Sequence, residues 1–322
     1  MLSLHVISLA LQVAVPILLL GWFARGQGAS ISGWLARATA IVLYLGAVHV
    51  AGVWVLLPPY TAAVFGMSLV AIALLQVRRV QHLPWRAPRA AWASLVAGGI
   101  VAIFAVAVLV AAAMARRVPG AHVVDLQFPL RTGVYYVVSG GSVELLNPHL
   151  MTLTAERFRA YRGQSYGVDL LKLGAFGMRA SGILPSDPAR YAIYGDPVYA
   201  PCSGTVVQSA DGAPDMPPPE PDRTRLPGNH VLLDCGGAHV LLAHLKPGTV
   251  RAGPRQLIEA GAFVGLVGNS GNSNEPHLHV HAQRPAAVGR EPLSGDPLPM
   301  RFNGRYLVRN DRVTSDFDMA DR

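Results

Sequence analysis

Hydrophobic positions follow two rhythms along this chain. Over the first third they come in long runs, at 4–24, 36–57, 61–77 and 92–114, with few polar interruptions. About 20 apolar residues in a helix cross a bilayer core of about 30 Å, so four transmembrane helices are predicted. A cleaved leader is the competing reading of the first run, but no basic residue precedes it and three more runs follow, which favours an anchor. From residue 118 onward the runs shorten and sit between Gly, Pro, Asn and Asp, at 134–138, 197–199, 205–207, 230–233, 239–242 and 263–267, with one more within 301–308. Short β-rich runs bounded in this way read as strands. Helical spacing is confined to about 151–161. The pattern predicts a membrane anchor over 1–117 and a mainly antiparallel β domain over 118–322, built as an antiparallel sheet or partly open barrel.

Arginine placement adds an orientation. Arg25 and Arg37 are read as lying between the first and second helices, and Arg78, Arg79, Arg86 and Arg89 between the third and fourth. Basic loops stay on the cytoplasmic side. The turn Pro58-Pro59-Tyr60 and the N-terminus then face outward, and the fourth helix delivers everything after Ala115 to the outer side; Arg116 and Arg117 oppose this mildly.

Composition agrees with a membrane portion joined to a soluble one: 322 residues, 51% hydrophobic, mean hydropathy +0.34. The net charge of +8 and pI near 9.9 raise nucleic acid as a partner. The excess is scattered over loops, with no basic helix or aromatic stacking motif, so a nucleic-acid partner is excluded in favour of the lipid bilayer and an anionic wall. The stretch 211–227, with six prolines, cannot form a ladder and reads as a solvated loop. Cys202 and Cys235 suit one disulfide in an oxidising compartment; two buried thiols are the alternative, and no Cys-x-x-Cys spacing supports zinc.

The candidate chemistry lies in Gly268-Asn269-Ser270-Gly271-Asn272-Ser273-Asn274-Glu275-Pro276-His277-Leu278-His279-Val280-His281. On a strand, His277, His279 and His281 project from one face while Leu278 and Val280 enter the other. Asp169 and His244 each sit at or beside an apolar β-like run. A hydrolytic zinc site takes three such ligands and leaves a fourth position for water.

These residues resemble the lysostaphin and LytM type of zinc metallopeptidase, a peptidoglycan endopeptidase family with a duplicated-hybrid-motif barrel. Gly195-Asp196-Pro197-Val198-Tyr199-Ala200-Pro201 with Gly204-Thr205-Val206-Val207 is similar to its first hairpin, and Gly228-Asn229-His230-Val231-Leu232-Leu233 to the next strand. Leu242-Ala243-His244-Leu245 matches its Tyr-x-His-Leu block, with Leu242 for tyrosine, and Pro276-His277-Leu278-His279 is the most specific block. The resemblance implies Zn2+ as cofactor, Asp169 and His279 as ligands, and His244 and His277 as catalytic groups flanking the attacking water and the scissile carbonyl. It also implies a multi-pass protein of the bacterial inner (cytoplasmic) membrane with a periplasmic domain acting on peptidoglycan peptides.

One departure matters. The usual first ligand is the histidine of a His-x-Gly-x-Asp block, and Ser165 stands there. Gln164-Ser165-Tyr166-Gly167-Val168-Asp169 instead resembles a subset with Gln-x-Tyr-x-x-Asp preceded by Asn-x-His, which Asn147-Pro148-His149 fits. His149 is the candidate third ligand on that resemblance, with Gln164 and His281 as the substitutes and otherwise as supporting residues behind the ligands. The other reading is a catalytically degenerate domain that binds wall or regulates another hydrolase. A transporter is disfavoured because the apolar runs hold almost no ionisable residue beyond His49. His230 and His239 are assigned to strand surfaces; His5, His49, His82 and His122 are set aside.

Overall fold

The computed structural model describes residues 7–25, 29–54, 56–58, 60–89, 92–287 and 292–315. His5 and Pro59 lie outside them. The chain divides into two compact units, Met1–Ala113 and Met114–Arg322.

The first unit is helical. Helices α1 (Ile7–Arg25), α2 (Ile31–Ala51), α3 (Thr61–Val80) and α4 (Trp92–Ala115) are each long and apolar enough to cross a membrane. α2 begins five residues before the apolar run, because the Ser30 hydroxyl accepts from Gly33 N at 3.1 Å and caps the first turn. It ends at Gly52, whose N–H still reaches Val48 O. Arg37 therefore lies inside α2 and is buried, not in the loop where its charge placed it. Polar side chains turn inward: Gln76 Nε2 donates to Phe23 O at 2.8 Å while Trp34 Nε1 donates to Gln76 Oε1 at 2.7 Å. At the other end Gln12 Nε2 donates to Val53 O and Tyr44 Oη to Leu11 O. The outer surface is apolar, with Leu75, Ile103 and Leu18 exposed.

The second unit is β. Its strands are β1 (Val124–Leu126), β2 (Gly133–Ser139), β3 (Val168–Leu173), β4 (Pro197–Tyr199), β5 (Gly204–Ala210), β6 (Asn229–Asp234), β7 (His239–Leu245), β8 (Leu257–Ile258), β9 (Phe263–Leu266), β10 (Leu278–Gln283), β11 (Pro297–Leu298), β12 (Met300–Phe302) and β13 (Arg312–Ser315). The main sheet runs β13-β2-β3-β10-β7-β6-β5-β8, with β11 beside β10. Its contacts are antiparallel, and it stays open rather than closing into a barrel. Two small pairs accompany it, β4 with β9 and a parallel β1 with β12.

Alternation sorts the side chains. Leu170, Val231, Val240, Leu242, Leu278 and Val280 enter the main core on one face. On the other, Leu232, Leu241 and Ala243 pack with Leu293. The expected strand at 301–308 stops at Phe302, because Asn303 and Gly304 both take positive φ and turn the chain. The expected helix near 151–161 is one α turn, Met151–Thr154, followed by a 3-10 stretch, Glu156–Gln164. Cys202 and Cys235 form a disulfide with Cα atoms 5.9 Å apart, tying the approach to β5 to the β6–β7 hairpin. Nor is the proline-rich loop merely solvated: Asp215 Oδ1 accepts from Asn269 N at 2.6 Å and Tyr194 Oη donates to Asp215 Oδ2 at 2.8 Å. The loop thus holds the segment leading to His277.

Candidate metal centre

Three adjacent strands, β3, β10 and β7, carry the site. Asp169 on β3 lies opposite His279 on β10, and His279 lies opposite Ala243 on β7. His279 and His281 leave the same face of β10 while Leu278 and Val280 enter the core.

His244 reaches this face through an irregularity. Asn229 pairs with Leu245 and Val231 with Leu242, so β7 holds one residue more than β6 between those pairs. This is a β-bulge, which re-aims a side chain. Leu242 and Leu245 both enter the main core although three positions apart, and His244 sits between them at φ +64°. A β-type non-glycine residue at that φ is held against its local preference. Gly268 N donates to His244 O at 3.0 Å and His244 N donates to Pro227 O at 3.1 Å. Those two bonds pin the turned residue.

The side chains then converge. His279 Nδ1 is 2.8 Å from Asp169 Oδ1, and His149 Nε2 is 3.5 Å from Asp169 Oδ2. One donor atom from each of His149, Asp169 and His279 falls within 4.8 Å of the others. His277 Nε2 lies 3.6 Å from Asp169 Oδ1, and the His244 and His277 rings are 4.7 Å apart.

Hydrogen bonds fix which ring atoms carry protons. Pro292 O can only accept, so His281 Nε2 donates to it at 3.3 Å, and His281 Nδ1 accepts from His279 Nε2 at 2.9 Å. That leaves a lone pair on His279 Nδ1 facing a carboxylate oxygen. On the other side His149 Nδ1 donates to Asn147 Oδ1 at 3.0 Å, leaving the Nε2 lone pair toward Asp169. Lone pairs brought this close need a cation between them. A proton serves one such pair; a divalent metal serves three donors together, and a histidine whose far nitrogen is hydrogen-bonded is the common form of a metal ligand. The residues present fit zinc, which favours nitrogen and carboxylate donors.

Electrostatics agree. Burial opposes ionisation of Asp169, but without a metal the positive charge of protonated His149 and His277, and a proton on His279 Nδ1 donated to Asp169 Oδ1, outweigh it and hold the carboxyl well below its usual range. Burial pushes His149 down to about 4 and holds His244 and His281 well below the ordinary imidazole value. These rings stay neutral near pH 7 and can act as bases or ligands.

Ser165 is not at the ligand cluster. Its hydroxyl donates to Arg162 O at 2.6 Å and lies 2.7 Å from Thr152 Oγ1, which donates to His149 O at 2.7 Å. The serine thus braces the turn that presents His149. Gln164 engages through its backbone, its carbonyl accepting from Gly167 N at 2.7 Å. A Cβ on Gly167 would stand 2.7 Å from His279 Cε1, so glycine there lets the ring approach. His230 and His239 are buried, 4% and 7% exposed, not on the strand surfaces expected of them, since Leu293 covers that face of the sheet. His49 and His82 lie in the first unit, and His122 is exposed.

Sequence reasoning missed the backbone partners. His244 Nδ1 donates to Ser270 O at 2.9 Å and His277 Nδ1 to Glu275 O at 2.9 Å. It also missed Arg179, buried at 3% exposure and paired with Glu275 at 2.9 Å. Asn147 entered the sequence reading only within its Asn-x-His pattern; that its Oδ1 accepts from His149 N and faces His149 Nδ1 was not foreseen.

Residues 190–291 match the sequence profile of peptidase family M23. The chain carries an M23 domain. The matched stretch includes His244, His277 and His279 and stops short of His149 and Asp169. Among solved structures the M23 domain is similar to a zinc containing peptidase from Vibrio cholerae, at 18% identity over 48% of this chain and 35% of that one, TM-score 0.30. Lysostaphin from Staphylococcus simulans matches at 20% identity over 38% of each chain, TM-score 0.26. Csd3 of Helicobacter pylori matches at 18% identity over 58% of this chain and 35% of that one, TM-score 0.27. The chain spans little more than a third of the length of each. No curated protein matches it.

Proposed function

We propose that this protein is a zinc-dependent endopeptidase, anchored in a bacterial inner membrane by α1 to α4, whose periplasmic M23 domain hydrolyses peptide bonds in peptidoglycan. The observation that carries the reading is the convergence of His149, Asp169 and His279 with His244 and His277 at their edge. His149, Asp169 and His279 hold the metal, with His281 and Asn147 fixing the ligand tautomers from behind. Zinc bound there supplies Lewis acidity toward a water and an amide carbonyl.

The protein's own groups do the proton work. His244 and His277 have their Nδ1–H committed to Ser270 O and Glu275 O, so each presents a bare Nε2. One takes a proton from the attacking water; the same or the other ring returns one to the leaving amine nitrogen as the C–N bond breaks. Two neutral imidazoles whose tautomers are fixed by backbone acceptors suit this exchange.

The competing reading, a wall-binding or regulatory domain without activity, draws on Ser165 standing where the family's ligand histidine is usual. Zinc content and muropeptide cleavage by the purified full-length protein separate the two. The endopeptidase reading expects about one zinc per chain and cleavage that a chelator abolishes. His244→Ala and His277→Ala should keep the zinc and lose about 10²-fold or more in rate. A protein that binds no zinc and cuts nothing ends this reading.

A further inference from the structure

The eight arginines before residue 125 face no acidic residue in that stretch, whereas the remaining nineteen basic residues are matched by nineteen acidic ones. The whole net charge of +8 therefore belongs to the membrane-proximal third of the chain. Five of its arginines, Arg25, Arg78, Arg79, Arg86 and Arg89, lie at helix ends or in loops, where water and ions solvate them. Arg37 does not.

Arg37 is 6% exposed and sits six residues into α2, about 9 Å along the axis from Ile31. Side chains on a helix lean toward its N-terminus, and Arg37 Nε donates to Gly33 O at 3.3 Å. The guanidinium stands 5.5 Å from the Trp22 ring centroid. Among the described residues its two terminal amino groups meet no acceptor and no carboxylate. A cation within an apolar helix bundle without a counter-charge is unfavourable, and no acidic side chain of this third of the chain can supply one.

The surroundings say what does. Ile31 N and Ser32 N donate to Pro84 O and Trp85 O at 3.0 and 3.2 Å, so the loop after α3 packs against the start of α2 beside Arg37. Trp22, Trp34, Trp85 and Trp92, four of the five tryptophans, belong to this end of the helices. Tryptophans in a band mark the headgroup level of a bilayer, and clustered arginines favour its anionic lipids. A planar guanidinium with both terminal amino groups free binds a phosphate through paired hydrogen bonds.

We propose that Arg37, backed by Trp22, binds the phosphate of an anionic phospholipid headgroup at the arginine-rich end of the helices. This inference goes beyond the peptidase reading and stands or falls apart from it.

The test uses full-length protein in detergent, with retained lipid counted by native mass spectrometry. Wild type should retain phosphatidylglycerol at least about fivefold better than phosphatidylcholine. Arg37→Gln should lose that preference, Arg37→Lys should keep part of it, and Arg78→Gln with Arg79→Gln should keep it whole. Equal retention of both lipids by wild type, or an Arg37→Gln protein that prefers phosphatidylglycerol as wild type does, overturns the proposal. Inorganic phosphate that displaces the lipid at millimolar concentration would reassign the site to free phosphate. Should Arg37→Gln not fold, wild type compared between phosphatidylglycerol and diacylglycerol decides: equal retention without the phosphate overturns the proposal, and loss of retention upholds it.

Discussion

The two units solve burial in opposite ways. In the helical unit many large apolar side chains face outward, Leu75 at 81% and Ile103 at 73% exposure among them, while Gln12 and Arg37 are buried and Gln76 bonds to Phe23 O. In the β unit Leu170, Leu242 and Leu278 are sealed at 0%, and a connected group of buried polar side chains gathers around Asp169, His279 and His281. The difference is the one expected if the helical unit spans a membrane, as proposed, and the β unit is bathed in water. Hydrocarbon offers no gain for hiding leucine, so helix contacts fall to packing and a few hydrogen bonds; water drives leucine inward and leaves the cost of polar burial to be met where polar side chains group together. In the β unit the densest such group is the candidate metal site.

The comparison can be broken most sharply at that centre. His279→Ala or Asp169→Ala removes a ligand from a set of three and should abolish zinc retention and peptidase activity, a loss of about 10³-fold or more, read by metal analysis and muropeptide cleavage. A variant with normal zinc content would refute the assigned ligand set.

Next in size is core truncation. Leu242→Ala in the β unit should cost about 2–5 kcal/mol of stability, whereas Leu75→Ala on the outer face of α3 should leave thermal stability in detergent nearly unchanged. Equal losses at the two sites would show that this face of α3 packs against protein, not lipid.

Acid should act on the β unit alone. In the folded metal-free domain burial keeps His149, His230 and His244 below their ordinary values. On unfolding they return to about 6.5. Below that pH the unfolded chain binds more protons, so stability is full above about 6.5 and falls as pH drops toward about 4, where His149 itself protonates in the folded state. Hydrogen exchange of β6, β7 and β10 should rise across this window while that of α1 to α4 holds steady. A flat profile would mean that these rings are solvated.

The smallest effects come from single hydrogen bonds. Ser165→Ala should cost about 1 kcal/mol and weaken zinc binding less than His149→Ala does. Gln76→Leu should cost about 0.6 kcal/mol.

Much of this arrangement was legible in the residues. A two-residue alternation places His279 and His281 on one face wherever the strand lies, and four long apolar runs announce helices whatever their packing. What stayed hidden depended on partners. The carbonyls of Ser270, Glu275 and Pro292 set the imidazole tautomers, and a carbonyl leaves no mark in the residue type. The burial of His230 follows from a covering segment distant in sequence. Arg37 was misplaced for another reason: its charge was counted with the loop although the apolar run 36–57 already contained it, and the cap at Ser30 starts the helix at Ile31.

The extra residue in β7 limits how this domain can be altered. Removing His244 would knit β6 and β7 into a regular ladder, a change that strand design normally rewards. The mended strand would be quieter and would carry no proton acceptor at that edge. Grafts, alignments and shortened versions of this domain must therefore preserve the count between Leu242 and Leu245 before they preserve any side chain.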